Sequence, residues 1–207
     1  MSFKSIPAGL LLRAAPITCV RERRTIVALD ELALAAGDLV ELRGANGSGK
    51  TTLLRALAGL FPCEGAVDRS AKLAFVGHRN GNSGLLTALE NLRWHQSLSG
   101  EPEDTGQALD ALDRVGLLRS ANKPVHHLSQ GQQRRLALAR LVLCDARVWL
   151  LDEPHAALDA AGQMLMDELL VAHAGEGGAA LVSSHAPLGI ATRVIDLSTA
   201  AVSGVAA

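Results

Sequence analysis

The sequence contains no tyrosine and only five other aromatic side chains of the Phe and Trp type: Phe3, Phe61, Phe75, Trp94 and Trp149. Exposed rings on which bases could stack are therefore in short supply, which argues against a nucleic-acid platform. Neither sign of charge prevails. The 20 Lys and Arg against 21 Asp and Glu leave a net charge of −1, so there is no bulk positive field. Cysteine is scarce and odd in number: Cys19, Cys63 and Cys144 stand far apart and outside any C-x-x-C pair. That fits reduced thiols and speaks against a disulfide framework or a zinc site. Long apolar runs are missing too. The longest stretch without Asp, Glu, Lys or Arg, Gly177 to Thr192, is broken by Ser, His, Pro and Gly, so no segment reaches the roughly 18 residues of a membrane span. Leu10–Leu12 is too short for a signal-peptide core and is followed at once by Arg13. These absences predict a soluble cytoplasmic protein. What is abundant is Leu, Ala and Val: hydrophobic residues fill 48% of the 207 positions, ample for the core of one domain with a small lobe.

The pattern along the chain alternates between strands and helices. Thr18–Val20, Leu32–Ala35, Asp38–Arg43 and Lys72–Val76 read as short strands, and Lys50 to Ala58 as a helix closed by Gly59. His78 to Gly84 (HRNGNSG) is too rich in Gly and Asn for either. Thr87-Ala-Leu-Glu90 has capping-box spacing and opens a helix toward Ser97; a second runs from about Asp104 to Val115. Ser129-Gln-Gly-Gln132 repeats the capping-box spacing and starts a third. There Leu136, Ala139, Arg140 and Leu143 share a face, with Arg134 and Arg135 expected off it. Arg147–Leu151, Ala179–Ser183 and Arg193–Leu197 read as strands and Asp159–His173 as a helix. Such alternation predicts an α/β fold with a mostly parallel sheet covered on both faces, and a small helical lobe from about 78 to 124.

Three clusters carry chemistry. Gly44-Ala-Asn46-Gly47-Ser48-Gly49-Lys50-Thr51, followed by Thr52, is a complete G-x-x-x-x-G-K-[ST] between a strand and a helix. Glycines let consecutive backbone N–H groups converge on phosphate oxygens, and the helix N-terminus adds partial positive charge. Lys50 would reach the β- and γ-phosphates and the Thr51 hydroxyl would ligate Mg²⁺. Next, Val148-Trp-Leu-Leu-Asp152-Glu153 delivers two acids at the end of an apolar strand, where ligands of open α/β sheets bind. Asp152 is read as the Mg²⁺ ligand and Glu153 as the group that orients and deprotonates the attacking water. Third, Leu128-Ser129-Gln130-Gly131-Gln132 is a capped helix start, another anion site, lying 152 − 129 = 23 residues before Asp152. A second such site makes sense if it closes on the nucleotide of a partner subunit.

With these motifs the chain resembles the ATP-binding cassette of ABC transporters over nearly its whole length. The resemblance implies a phosphate-loop NTPase core with a small helical subdomain, ATP and Mg²⁺ as ligands, and ATP hydrolysis by a homodimer. In that comparison Leu128–Gln132 is similar to the family's signature motif, with Gln130 in place of the usual Gly. Ala157-Leu-Asp159 resembles the D-loop, and Ser184-His185 resembles the switch histidine that contacts the γ-phosphate. Two positions depart from the family. The Q-loop normally offers a Gln to Mg²⁺ and water, but here His78 follows the strand ending at Gly77. Imidazole is a poor Mg²⁺ ligand, so His78 would act through water or as a sensor of the lobe. The aromatic that usually stacks on adenine is also missing. Arg21 lies in the matching stretch, where its guanidinium can stack or simply be solvated. Val76-Gly-His78, then Leu86–Leu92 with Trp94, together with the short length, is similar to one branch of the family: the ATP-binding subunits of cytochrome c maturation haem exporters. That branch implies separate transmembrane permease subunits, no nucleic acid, and a place on the cytoplasmic face of the bacterial inner membrane. Trp94 is then either a docking contact or core. Rivals are another small exporter's ATPase, a cassette ATPase acting on DNA or ribosomes, and a small-molecule kinase. The DNA and ribosome ATPases typically carry two cassettes or a long coiled-coil insertion, and a kinase has no use for Leu128–Gln132.

Overall fold

The computed structural model describes residues 6–100, 102–185, 187–190 and 192–197. Contacts divide the chain into two compact units: 1–75, 146–153 and 169–207 in the first, 76–145 and 154–168 in the second.

The first unit holds two sheets. β1 (Leu10–Arg21) is antiparallel to β2 (Arg24–Leu29), β3 (Leu32–Ala35) and β5 (Glu64–Arg69). The second sheet has the order β6 (Leu73–Val76), β7 (Val148–Asp152), β8 (Ala179–Ser183), β4 (Leu39–Arg43), β9 (Arg193–Asp196). The β7–β8, β8–β4 and β4–β9 pairs are parallel. Every residue of β7 and β8 is buried, which is why both read as unbroken apolar runs rather than alternating ones. Helix α1 (Lys50–Leu57) lays Leu53, Leu54 and Leu57 into a core shared with Leu12, Ile17, Leu34, Val40, Leu42, Leu150 and Leu181. The parallel sheet was expected; the four-stranded antiparallel sheet built on β1 was not.

The second unit is mainly helical. α2 (Ala88–Leu98) and α4 (Gln130–Leu143) both begin with complete capping boxes, at Thr87/Glu90 and Ser129/Gln132, where the spacing predicts them. α3 (Thr105–Arg114) is capped by Asp104, whose side chain accepts from the Gln107 N–H. The unit takes in α4 and the start of α5 (Ala160–Gly175) as well as the 78–124 stretch. One sequence expectation fails here. Arg134 is not off the buried face of α4 but only 3% exposed. Its guanidinium is tolerated in the interior because oxygen acceptors surround it: Nη1 donates to Gly77 O (2.8 Å) and to Asn80 Oδ1 (3.1 Å), and Nε donates to Pro154 O (3.2 Å). Trp94 is 44% exposed on α2, so it is not core. Among the described residues no helix is long and apolar enough to cross a membrane.

Candidate functional site

Strand order creates the site. In a parallel sheet all carboxyl ends lie on one edge, and β8 sits between β4 and β7, so the loop after β4 and the acids after β7 open on the same side of the sheet. The loop runs from Gly44 to Gly49, the N-cap of α1. Gly49 has φ +95°, and a Cβ there would lie 3.0 Å from the Ile26 carbonyl oxygen, so no other residue fits without strain. The cap supplies no side-chain acceptor and the first turn carries no acid; the positive end of the helix is left for an anion. Lys50, 6% exposed, bends back over the loop, its Nζ donating to Gly44 O (2.6 Å) and Ala45 O (3.1 Å). The buried Ser48 hydroxyl finds no hydrogen-bond partner among the described residues, a polar atom that a ligand at the loop would satisfy.

The acids are held in a chain of hydrogen bonds. Thr51 Oγ1 donates to the Asp152 carboxylate (2.9 and 3.1 Å to its two oxygens), and Ser183 Oγ donates to Asp152 Oδ1 (2.8 Å). The Glu153 N–H donates to Ser183 Oγ (3.0 Å). Glu153 itself sits at φ 51°, and its Oε1 accepts from His185 Nε2 at 2.6 Å. Asp152 is 1% exposed, whereas His185 keeps about half of its side chain in solvent. Around these groups lies an open cleft of about 450 Å³. It is lined by Asn46, Gly47, Gly49, Lys50, Thr51, Thr52, Glu153 and His185, with Arg21 and Ile26 from β1 and β2. The Thr51 hydroxyl and Asp152 carboxylate are the hard oxygen donors that Mg²⁺ takes. Among the described residues no cluster of three His, Cys, Asp or Glu side chains could hold a metal alone, so a cation here would also draw on phosphate oxygens and water.

The remaining sequence candidates lie in the second unit. Ser129 Oγ accepts from the Gln132 N–H (3.2 Å) and Gln132 Oε1 accepts from the Ser129 N–H (3.0 Å). Gly131 is needed for close approach: a Cβ there would stand 3.1 Å from the Ala157 carbonyl oxygen. Asp159 accepts from the Gly162 N–H (2.9 Å) and from Arg135 Nη2 (2.6 Å), which together hold its carboxyl below the usual range. His78 is exposed, just past β6. The loop that follows is fastened by Arg140, whose guanidinium donates to Asn80 O, to Gly81 O (3.1 Å) and to His95 Nε2 (2.6 Å). Burial, with the Arg140 charge second, pushes His95 down to about 4. Burial likewise lowers Arg140 to about 10.

Sequence reasoning missed Ser183, Arg134 and Ile26. A signal existed for the first: Ser183 is the lone polar residue of an otherwise apolar buried strand.

A glycine loop at a helix start and paired acids off a parallel sheet define a phosphate-loop nucleotide-binding protein. Residues 29–156 match the ABC transporter family, and the chain belongs to that family's ATP-binding, ATP-hydrolysing subunits. Among curated relatives, the cytochrome c biogenesis ATP-binding export protein CcmA of Saccharophagus degradans is 40% identical over 84% of this chain and 86% of its own. The proteins of that name from Rhodopseudomonas palustris (43%; 89% and 96% covered) and Bordetella bronchiseptica (49%; 75% of each) are similar as well. The fold matches a Pyrococcus furiosus ATP-binding protein of the ABC transporter type, with TM-score 0.81 at 23% identity, covering 91% of this chain and 98% of that one. It also matches the ATP-binding cassette MJ0796, solved as a dimer bound to ADP and Pi: TM-score 0.76, 26% identity, 85% and 88% covered.

Proposed function

We propose that the chain drives export in cytochrome c maturation. It would hydrolyse ATP as a homodimer on the cytoplasmic face of the bacterial inner membrane, coupled to separate haem-exporter permease subunits and to no nucleic acid. The export reading is supported by likeness to relatives of that name over most of their length. The hydrolytic reading rests on one observation above the others, the 2.6 Å contact that aims the Glu153 carboxylate.

In this reading the residues from Gly44 to Thr52, Asn46 and Ser48 among them, bind the phosphates through backbone N–H groups and the end of α1, and Lys50 adds its charge. Thr51 and Asp152 would hold Mg²⁺, whose contribution is to neutralise phosphate charge. Glu153 accepts a proton from the attacking water at its carboxylate. His185 keeps that carboxylate oriented and offers its ring to the γ-phosphate. Ser129, Gly131 and Gln132 act on the nucleotide of the second copy, and Asp159 couples the two sites. His78 acts through water or as a sensor of the lobe. The whole chain is then one ABC domain, its helical subdomain inserted in the α/β core.

Glu153→Gln is expected to bind ATP, lose turnover and accumulate as a nucleotide-bound dimer with Mg-ATP on gel filtration. Only monomer under those conditions would overturn the dimeric scheme. For the export role, the gene should restore haem-stained c-type cytochromes to a bacterium lacking its own exporter ATPase; failure of a stably expressed chain would reject it.

A further inference from the structure

We infer that Ser183 is a positioning residue for hydrolysis, a single hydroxyl that holds both acids of the site in register. The inference rests on the assignment of Asp152 and Glu153 above and adds a residue that no motif of the chain marks.

A serine hydroxyl has one proton to donate and lone pairs to accept with. At Ser183 both capacities are spent on the reaction centre. The proton goes to Asp152 Oδ1 (2.8 Å), and the oxygen receives the Glu153 N–H (3.0 Å). The residue is completely buried, so water cannot substitute for either bond, and in a low-dielectric setting each is strengthened. Its placement follows from the sheet. Ser183 ends the strand between β7 and β4, paired in register with Asp152 on one side and with Leu42, two residues before the phosphate loop, on the other.

The two bonds do different things. The bond to Asp152 fixes one carboxylate oxygen, while Thr51 fixes the pair from the loop side, so the rotation of the candidate Mg²⁺ ligand is set from two directions. The bond from the Glu153 N–H anchors the backbone where the chain leaves the strand in a left-handed conformation, φ 51°. A non-glycine residue holds that conformation only when its surroundings enforce it. Released from Ser183, Glu153 would relax toward ordinary backbone and carry its carboxylate away from His185 Nε2. Ser183 touches no reacting atom; it acts through the two residues that do.

The full-length chain provides the test. Ser183→Ala should still bind nucleotide, while kcat falls about 10- to 100-fold and the Mg²⁺ concentration for half-maximal turnover rises several-fold. Ser183→Thr keeps the hydroxyl and Ser183→Val copies its shape without it, so the Thr variant should recover turnover and Mg²⁺ response and the Val variant should not. An Ala variant with unchanged kcat and Mg²⁺ requirement would overturn the inference. So would equal activity of the Thr and Val variants, and that comparison decides the matter even if the Ala variant fails to fold. Asp152→Asn and Glu153→Gln are measured alongside. Should both retain turnover, the assignment of the site itself fails, whichever way the Ser183 variants behave.

Discussion

Glu153 and Arg21 both line the cleft, and each shows what one residue can settle. The left-handed backbone of Glu153 costs about 1–2 kcal/mol relative to an ordinary conformation, a cost met by the Ser183 and His185 contacts. Arg21 has 71% of its side chain in solvent and pairs only loosely with Glu22 at 3.8 Å, yet it lines the cleft beside Ile26. A guanidinium so placed can lie flat on a base, which is worth about 1 kcal/mol, or roughly fivefold in affinity. Arg21→Ala is therefore expected to raise the KM for ATP about fivefold with kcat unaltered, and Arg21→Phe to restore it. Unchanged KM in the Ala variant would leave Arg21 as a solvated charge. Residue identity alone pointed to Lys50, Thr51, Asp152 and Glu153, because their chemistry is rare at such spacing. For Ser183 it offered only a polar residue closing an apolar strand, not a role, because its partners are 30 and 31 positions away in the chain.

Among the elements, the two capped helices form a natural pair of controls. Thr87 and Ser129 accept the N3 amide at the same 3.2 Å, and each box closes reciprocally through Glu90 or Gln132. Replacing either cap by Ala should cost about 1 kcal/mol of stability by urea denaturation. Turnover should fall only for Ser129→Ala, because only that cap belongs to the signature-like segment. Equal activity of the two variants would reduce Ser129 to a helix cap. Capping boxes, loops and short apolar strands were legible because their signals are local. β1 was seen only at Thr18–Val20, since Arg13 and Pro16 interrupt its apolar pattern. β5 was not seen at all, since it is largely exposed and carries Glu, Gly, Asp and Arg. Arg134 was misplaced for another reason: periodicity treats charge as solvent-seeking, but three oxygen acceptors satisfy its guanidinium in the interior.

For the whole molecule, acid stability depends in part on two half-buried imidazoles, one in each unit. Burial first, then Arg140, takes His95 from 6.5 to about 4, and burial chiefly lowers His173, stacked 3.8 Å from Trp149. Burial disfavours protonation of both in the folded state, so below pH 6.5 the unfolded chain takes up protons more readily than the folded chain. Their stabilisation is present in full above that pH and is lost progressively as pH falls toward their folded values. The urea midpoint should drop between pH 7 and pH 5, and His95→Gln should flatten that slope; an identical slope in the variant would exclude His95 as a contributor.

Spacing along the chain was enough to specify the phosphate loop, the strand-end acids, both capping boxes and the alternating α/β pattern. Each is a matter of backbone geometry and side-chain chemistry within about ten neighbouring residues. Strand order had to come from folding. Nothing local says that residues 179–183 enter the sheet between residues 39–43 and 148–152, because that choice depends on which buried faces pack together across the core. That insertion sets the Ser183 hydroxyl against Asp152 and the Glu153 amide, and so turns two motifs 101 residues apart, Thr51 and Asp152, into one hydrogen-bonded site.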